Sequence, residues 1–577
     1  MTSDTPGTPV SSNPSFDIRQ IPFSRRGSWL DVSPVIGTHR THELLHLVSH
    51  QSGMTAVLQF RPERAAAVEA SATRLSWIAE GGRVDAVFET GDTLRLRGRG
   101  LELTLADPGE TLTPFSGSYL FRDPVDGSAV FTSYETGRRY RVTALSGALR
   151  IVGEEALGSA ARAVTLEGAE WEAVVEEYET GRAPYRASGS FDDAVADVAQ
   201  DFDGFLAAVA PWRNPSSPAA ALAAYVLWSA TVAPRGFVTR EAILMSKHWM
   251  DKVWSWDHCF NALAVVGGLP GAGVDNFLMP FDHQEASGAL PDSVTHSEVL
   301  YNFVKPPIHG WALRELRARA PHALGRDALI EIHGRLAAWS RFWLSRRVPG
   351  HALPHYQHGN DSGWDNSTTF DADRLIEAPD LAAFLGVQLR VLADLTAELG
   401  LDGAAAWRAE ADALFDALQS ELWRGDHFIA RAAATGRESL SSSLLNALPL
   451  LASDHLAPEI VRALVARLDA HLTEWGLATE PVSSELYESD GYWRGPIWAP
   501  STVLIYDGLR KAGEHRLAAE VSRRFRRLCE RSGFAENFDA VTGDGLRDRA
   551  YTWTASAYLL LAADAVETDA AAAVEPA

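Results

Sequence analysis

The stretch His358 to Phe370, HGNDSGWDNSTTF, crowds two acids, an aromatic ring and small turn-formers into what reads as one exposed loop. A second acidic segment, Ala535 to Asp544 (AENFDAVTGD), lies far along the chain. Two carboxyl groups on distant loops are the minimum equipment for cutting a glycosidic bond: one protonates the leaving oxygen, the other activates water or attacks the anomeric carbon. Asp365 follows Gly363-Trp364, and an aromatic wall disfavours its ionised form, as a general acid requires. The bland alternative is that Asp365, Asn366 and Ser367 form Asx turns and cap the next helix. Glu536 stands at a helix-to-loop transition, where a fixed carboxylate could hold water; spacing alone favours a solvated loop residue.

Other segments add sugar-reading chemistry. Residues 488–500, ESDGYWRGPIWAP, put Tyr492, Trp493, Arg494 and Trp498 on a Gly/Pro-constrained loop. Aromatic rings stack on the C–H faces of sugars, and Arg494 can donate to hydroxyls or a carboxylate, or else pair with a nearby acid to brace the loop. In WSWDHCF (254–260), Asp257 after Trp256 could grip vicinal hydroxyls or cap the helix beginning there. Asp361, Asp371 and Asp373 with Asn360 could make a calcium cage, although the standard Gly-spaced loop is missing, and His283, His296 and His309 lack the close spacing of a zinc site. Neither a metal nor a cofactor is expected.

Composition narrows the class. The 577 residues carry a formal charge of −23, which offers nucleic acid or an anionic membrane no general basic field. The polar, Pro/Ser-rich N-terminus lacks the basic start and apolar run of an export signal, so a cytoplasmic protein is expected, with a disordered segment over 1–15. Cys259 and Cys529 exclude a disulfide framework and leave one bridge open. Of 18 Trp, most fall in the later two-thirds of the chain, in loops beside Gly, Asp or Arg; for any single one, burial in the core is the more ordinary fate.

The elements that must position these residues follow from periodicity. Over 16–188 the apolar residues alternate between turns, as in Thr93-Leu-Arg-Leu-Arg-Gly and Ala129-Val-Phe-Thr-Ser-Tyr, which predicts an N-terminal antiparallel β-sandwich. Phe191, Val195, Val198, Phe202 and Phe205 predict a linker helix within 189–217 that ends at PWRNPSSP. From 218 to 566 helical stripes dominate, among them Leu329, Ile332, Leu336, Trp339, Trp343 and Leu517, Val521, Phe525, Leu528, the latter stopped by Gly533. No solenoid period is evident, and helix pairs of this number suit an all-α (α/α)6 toroid barrel whose long connections carry the Trp, Asp and His. The tail 567–577 is expected to be disordered.

WSWDHCF (254–260), KPPIHGWAL (305–313), SGWDNS (362–367), GYWRGPIWAP (491–500) and AENFDAVTG (535–543) occur in the order seen in glycoside hydrolase family 63. Over residues 200–565 the chain resembles inverting α-glycosidases of the (α/α)6 clan, which includes trehalases and the mannosylglycerate and glucosylglycerate hydrolases. The resemblance implies that Asp365 is the general acid and Glu536 the general base. It further implies that Trp256, Asp257, Trp364, Tyr492, Trp493, Arg494 and Trp498 line the sugar subsite. Two departures stand out: Lys305 where the family often has Gln, and the added N-terminal β domain, a feature of members acting on oligosaccharides. The expected activity is inverting hydrolysis of a small α-linked glucoside or oligosaccharide. The alternatives are a trehalase, an α-mannosidase or mannosylglycerate hydrolase of the same architecture, or a noncatalytic carbohydrate-binding protein.

Overall fold

The computed structural model describes residues 13–574 apart from 39 and 110, so most of the N-terminal segment expected to be disordered lies outside the described residues. Two compact units are present. The first runs to Pro215 and takes in Ala221–Lys252 and Thr295–Ser297; the second comprises Ser216–Ala220, Val253–Val294 and the chain from Glu298 onward.

The first unit is built on antiparallel strands that the alternating pattern foretold, including Thr93–Arg99, Ala129–Ser133 and Arg139–Val152. Their arrangement differs from two separate sandwich sheets, because 13 strands join in one hydrogen-bonded sheet. The reason is the length of Arg139–Val152 and Ala163–Tyr178, at 14 and 16 residues. One half of Ala163–Tyr178 pairs with Thr93–Arg99, the other with Leu103–Ala106. The register breaks around Gly147, whose φ is +81°, and the partner strand carries Gly168 at φ +136°, so both strands bend where only glycine enters without strain. The two halves close on one apolar core, as the Phe60 and Trp77 rings at 5.3 Å illustrate.

Helices α1 (Phe191–Val209) and α2 (Ala220–Ala230) belong largely to this first unit. A barrel beginning at 218 was the expectation for α2. It is apolar all round, and Tyr225 stacks at 4.6 Å on Phe16 while Trp228 meets Phe202, so its aromatic side is spent on the β unit.

The second unit holds α3 (Asp257–Val266), α4 (Pro270–Leu278), α5 (His309–Arg319), α6 (Arg326–Leu344), α7 (Pro379–Glu398), α8 (Ala404–Glu421), α9 (Pro458–His471), α10 (Ala499–Lys511), α11 (His515–Ser532) and α12 (Thr552–Val574). A 3-10 segment, Leu444–His455, contains Pro449 and therefore cannot sustain the α-helical hydrogen-bond ladder. The helices α3, α5, α7, this segment, α10 and α12 touch in a closed ring, and α4, α6, α8, α9 and α11 each pair with a ring member from outside. Gly533, at φ +73°, ends α11. The expected disordered tail is instead helical as far as Val574, since α12 continues through its Ala-rich end. Cys259 and Cys529 are buried free thiols. Among the described residues no helix is long and apolar enough to cross a membrane.

Candidate active site

The two acidic segments meet in the second unit, at the starts of the ring helices. Asp257 opens α3, Lys305 precedes α5, Asp365 lies on the connection into α7, Tyr492 and Trp493 lead into α10, and Glu536 and Tyr551 lead into α12. Helix N-termini present unpaired N–H groups and the positive end of the helix dipole, which favours the gathering of acids there.

The loops are stitched to one another by backbone groups. Asn366 donates from Nδ2 to the Gly491 carbonyl at 3.0 Å and accepts from the Trp493 N–H at 3.0 Å, which fastens the loop of Asp365 to that of Tyr492. Ile497 and Phe538 exchange reciprocal hydrogen bonds at 2.8 and 3.0 Å, and Glu536 N–H donates to the Asp548 carbonyl at 2.8 Å. Gly363, at φ +73°, lies so close to the Trp256 ring that a Cβ would approach it to 2.4 Å. The loop 358–370, expected to be exposed, is largely buried, with His358, Asn360 and Asp365 half-buried and Asn366 exposed.

Burial raises the pKa of several carboxyls of the chain, three of them Asp257, Asp365 and Glu536. Burial pushes Glu536 up to about 8, assisted by the charges of Asp548 and Asp365 and opposed by Tyr492 and Arg547. The Tyr492 hydroxyl faces Glu536, yet neither carboxylate oxygen has a well-formed hydrogen bond. Burial also raises Asp257 to about 8 and Asp365 above the ordinary carboxylate range; in both cases Lys305 pulls the other way. The Tyr492 phenol is held far above its usual range by burial and by the charges of Glu536 and Asp365, so it sits in the field of both acids. Tyr492 and Arg547 have φ of 62° and 59°, two of the three non-glycine residues in that region among those described. The Arg547 guanidinium lies 5.0 Å over the Tyr492 ring. Non-glycine residues in this conformation cost about 1–3 kcal/mol each and concentrate at functional sites.

The expected sugar platforms fare differently. Trp256, Trp364, Trp493 and Trp498 retain only 2%, 1%, 1% and 0% exposure. Trp493 stacks on Trp498 at 3.9 Å and Trp364 on Trp493 at 4.7 Å, while Trp256 meets Trp553 edge-on at 5.8 Å. These rings are packed against one another and against Trp553 and retain almost no exposed surface. Arg494 takes the bracing role: it grips Asp371 with two hydrogen bonds at 2.8 and 3.0 Å and Glu488 with one at 3.0 Å. Asp361 accepts from the backbone N–H groups of Val304 and Gln357, and Asp373 from those of Arg374 and Leu375, so the calcium-cage candidates serve as loop ties.

Several neighbours of the acids escaped the sequence reading: Asp292, Arg547, Asp548, Tyr551 and Trp553. The run Arg547-Asp-Arg-Ala-Tyr-Thr-Trp leads directly into α12, the same acid-plus-aromatic approach to a helix start that flagged Asp257. Asp292 had no such neighbours in sequence.

Residues 250–554 match the mannosylglycerate hydrolase MGH1-like glycoside hydrolase domain. The chain belongs to this glycoside hydrolase family. A mannosylglycerate hydrolase from Rubrobacter radiotolerans is 25% identical over 403 residues, covering 53% of this chain and 89% of the relative. A glucosylglycerate hydrolase from Mycolicibacterium hassiacum is 24% identical over 446 residues, covering 59% and 96% respectively. Among solved structures, a GH63 mannosylglycerate hydrolase from Thermus thermophilus in complex with glucose aligns with TM-score 0.53 at 22% identity, over 59% of this chain and 99% of that one. A bacterial glucoamylase complexed with acarbose aligns with TM-score 0.60 at 10% identity over 96% of this chain and 95% of its own, so its fold has counterparts of both units.

Proposed function

We propose that this glycoside hydrolase releases an α-linked glucosyl unit from a small neutral glucoside or oligosaccharide with inversion of configuration. The observation that carries the reading is the convergence of Asp365 and Glu536 from distant loops, both raised in pKa, with Tyr492 in the field of each. Asp365 protonates the departing oxygen while Glu536 takes a proton from the water that attacks the anomeric carbon, through a transition state with positive charge shared between C1 and the ring oxygen. Asp257, protonated up to about pH 8, donates to a sugar hydroxyl as a neutral acid. The pair works with one proton between its two carboxyls, and a second proton, or the loss of the first, stops the reaction.

A neutral aglycone is supported by the state of the nearby cations. Lys305 pairs with Asp292 at 3.0 Å, Arg494 with Asp371 and Glu488, and Arg547 with Asp490 at 2.7 Å. A carboxylate arriving beside them would compete with partners already in place. The second reading, hydrolysis of a mannosyl or glucosyl glycerate, is favoured by the activities that the two relatives' names carry.

One experiment covers mechanism and substrate. A panel of glucosylglycerate, mannosylglycerate, kojibiose, nigerose and trehalose is followed by proton NMR of the first-formed anomer. Release of β-glucose from the neutral disaccharides supports the proposal. First-formed α-glucose from the cleaved glucosyl unit, with no β-glucose, would replace inversion by a covalent route, preference for a glycerate substrate would establish the second reading, and release from none would leave a sugar-binding protein.

A further inference from the structure

Lys305 is a buried cation placed among the acids of the cleft, on the side of Asp257 and Asp365. It is 6% exposed, and its Nζ lies 3.0 Å from Asp292 Oδ1 and donates to the Asn360 carbonyl at 2.9 Å. Asp292 is positioned independently of sugar chemistry: it precedes the strand Ser293–Val294, which pairs with Val253–Trp254 just ahead of Asp257, and its N–H donates to the Leu300 carbonyl. The groups facing Lys305 are Asp257 from the start of α3, Asp292 from this small sheet, and Asp365 and Asp361 from the connection into α7. Asp361 spends its oxygens on backbone N–H groups. Asp365 additionally meets His358, and its charge reaches Glu536 and Tyr492.

We propose that the Lys305–Asp292 ion pair is the positioning element of the general acid, setting how readily Asp365 and Asp257 hold their protons. The ammonium favours the carboxylate form of both acids, and Asp292 moderates it by neutralising part of its charge. The proposal rests on Asp365 and Glu536 being the reacting pair and adds that a third residue tunes them from outside it. Tuning of this kind matters because an acid held too tightly protonated transfers its proton poorly, and one held too loosely arrives without it.

The consequence has a sign that a structural role lacks. Lys305→Gln, which keeps a donor toward Asn360 and deletes the charge, should move both limbs of the kcat/KM profile to higher pH by on the order of one unit. Asp292→Asn, which unmasks the ammonium, should move them to lower pH. General disruption of the loop would lower activity in both variants without moving the limbs in opposite directions.

The experiment is the pH profile of kcat/KM on the full chain for wild type, both variants and Lys305→Arg, whose limbs should stay with wild type. Opposite shifts support the proposal. Limbs that stay in place in Lys305→Gln, or that move the same way in both variants, overturn it. If Lys305→Gln does not fold, Asp292→Asn decides alone, and limbs that stay or rise overturn the proposal. Profiles of Asp365→Asn and Glu536→Gln keep the two claims apart: full turnover in those removes the underlying pair, whereas their loss with unmoved limbs in the ion-pair variants removes only the tuning.

Discussion

Both units bury carboxylates, and two arginine-paired acids of the first contrast with two acids of the candidate site in the second. In the β unit, Arg141 meets Glu176 at 2.6 Å and Arg162 meets Asp107 at 3.0 Å, each pair almost sealed from water. In the helical unit Glu536 and Asp257 are equally sealed, yet among the described residues no arginine forms an ion pair with them, and oxygens of both lack well-formed hydrogen bonds. A buried pair is compensated and serves the fold; a buried lone carboxyl is costly and persists where the charge or the proton is used. The same residue type thus has two meanings, and the partner decides between them.

The contrast is sharpest in activity. Glu536→Gln and Asp365→Asn should each lower turnover by a factor on the order of 10² to 10⁴ while the fold survives, and an activated leaving group should partly rescue only Asp365→Asn. Steady-state kinetics with paired substrates checks this, and wild-type turnover in either variant would break the distinction. The mirror experiment is Asp107→Asn, which strands the Arg162 guanidinium inside the β unit. It should cost about 3–5 kcal/mol in a denaturant titration and leave kcat/KM per folded molecule unchanged.

Proton binding gives a third test. In the folded chain Glu536 holds its proton up to about pH 8, against a usual value of 4.5. Between these values the folded state binds the extra proton, so this residue's contribution to stability is full below about 4.5 and is lost as pH rises through about 8. Melting temperatures of Glu536→Gln relative to wild type should therefore climb across that window. A difference that stays flat would mean that Glu536 is already ionised in the fold. In the activity profile the same group predicts a fall of kcat/KM above about pH 8, as the last shared proton leaves.

The smaller effects concern cations. Arg494→Lys gives up the two-pronged grip on Asp371 and should lower kcat about three- to tenfold through loop misplacement. Asp371→Asn should reproduce that loss, and an effect of Arg494 without its echo in Asp371 would point to direct substrate contact. At the bottom of the scale, Arg408→Ala, which removes a surface pair with Asp394, should change stability by about 0–1 kcal/mol in a thermal melt.

Much of this was legible in the chain. The period-two pattern found the strands, and the three-to-four periodicity found α1, α6 and α11, because consecutive residues alone decide which side of an element is apolar. Asp365 and Glu536 each stand beside turn-formers and an aromatic residue, which left a bland reading open for both, and the resemblance of their motifs to glycoside hydrolase family 63 is what paired them. The tryptophans misled: Trp364 sits next to Gly363 and Trp493 next to Arg494 like exposed residues, and with Trp498 they are buried because two separate loops supply one another's cover. Arg494 could have faced a sugar or an acid, and only the approach of Asp371 settled which.

By itself, then, the sequence determined the kinds of element and their order, which follow from spacing along the backbone, while the proposal of Asp365 and Glu536 as the acids came from the resemblance of their motifs. Tertiary structure decided that α2 sides with the β unit, that the β strands form a continuous sheet through two bent strands, and that Lys305 meets Asp292 among the acids. It also decided which carboxyls keep their protons. Burial and pairing are properties of what surrounds a side chain in space, and here those surroundings arrive from loops hundreds of residues apart.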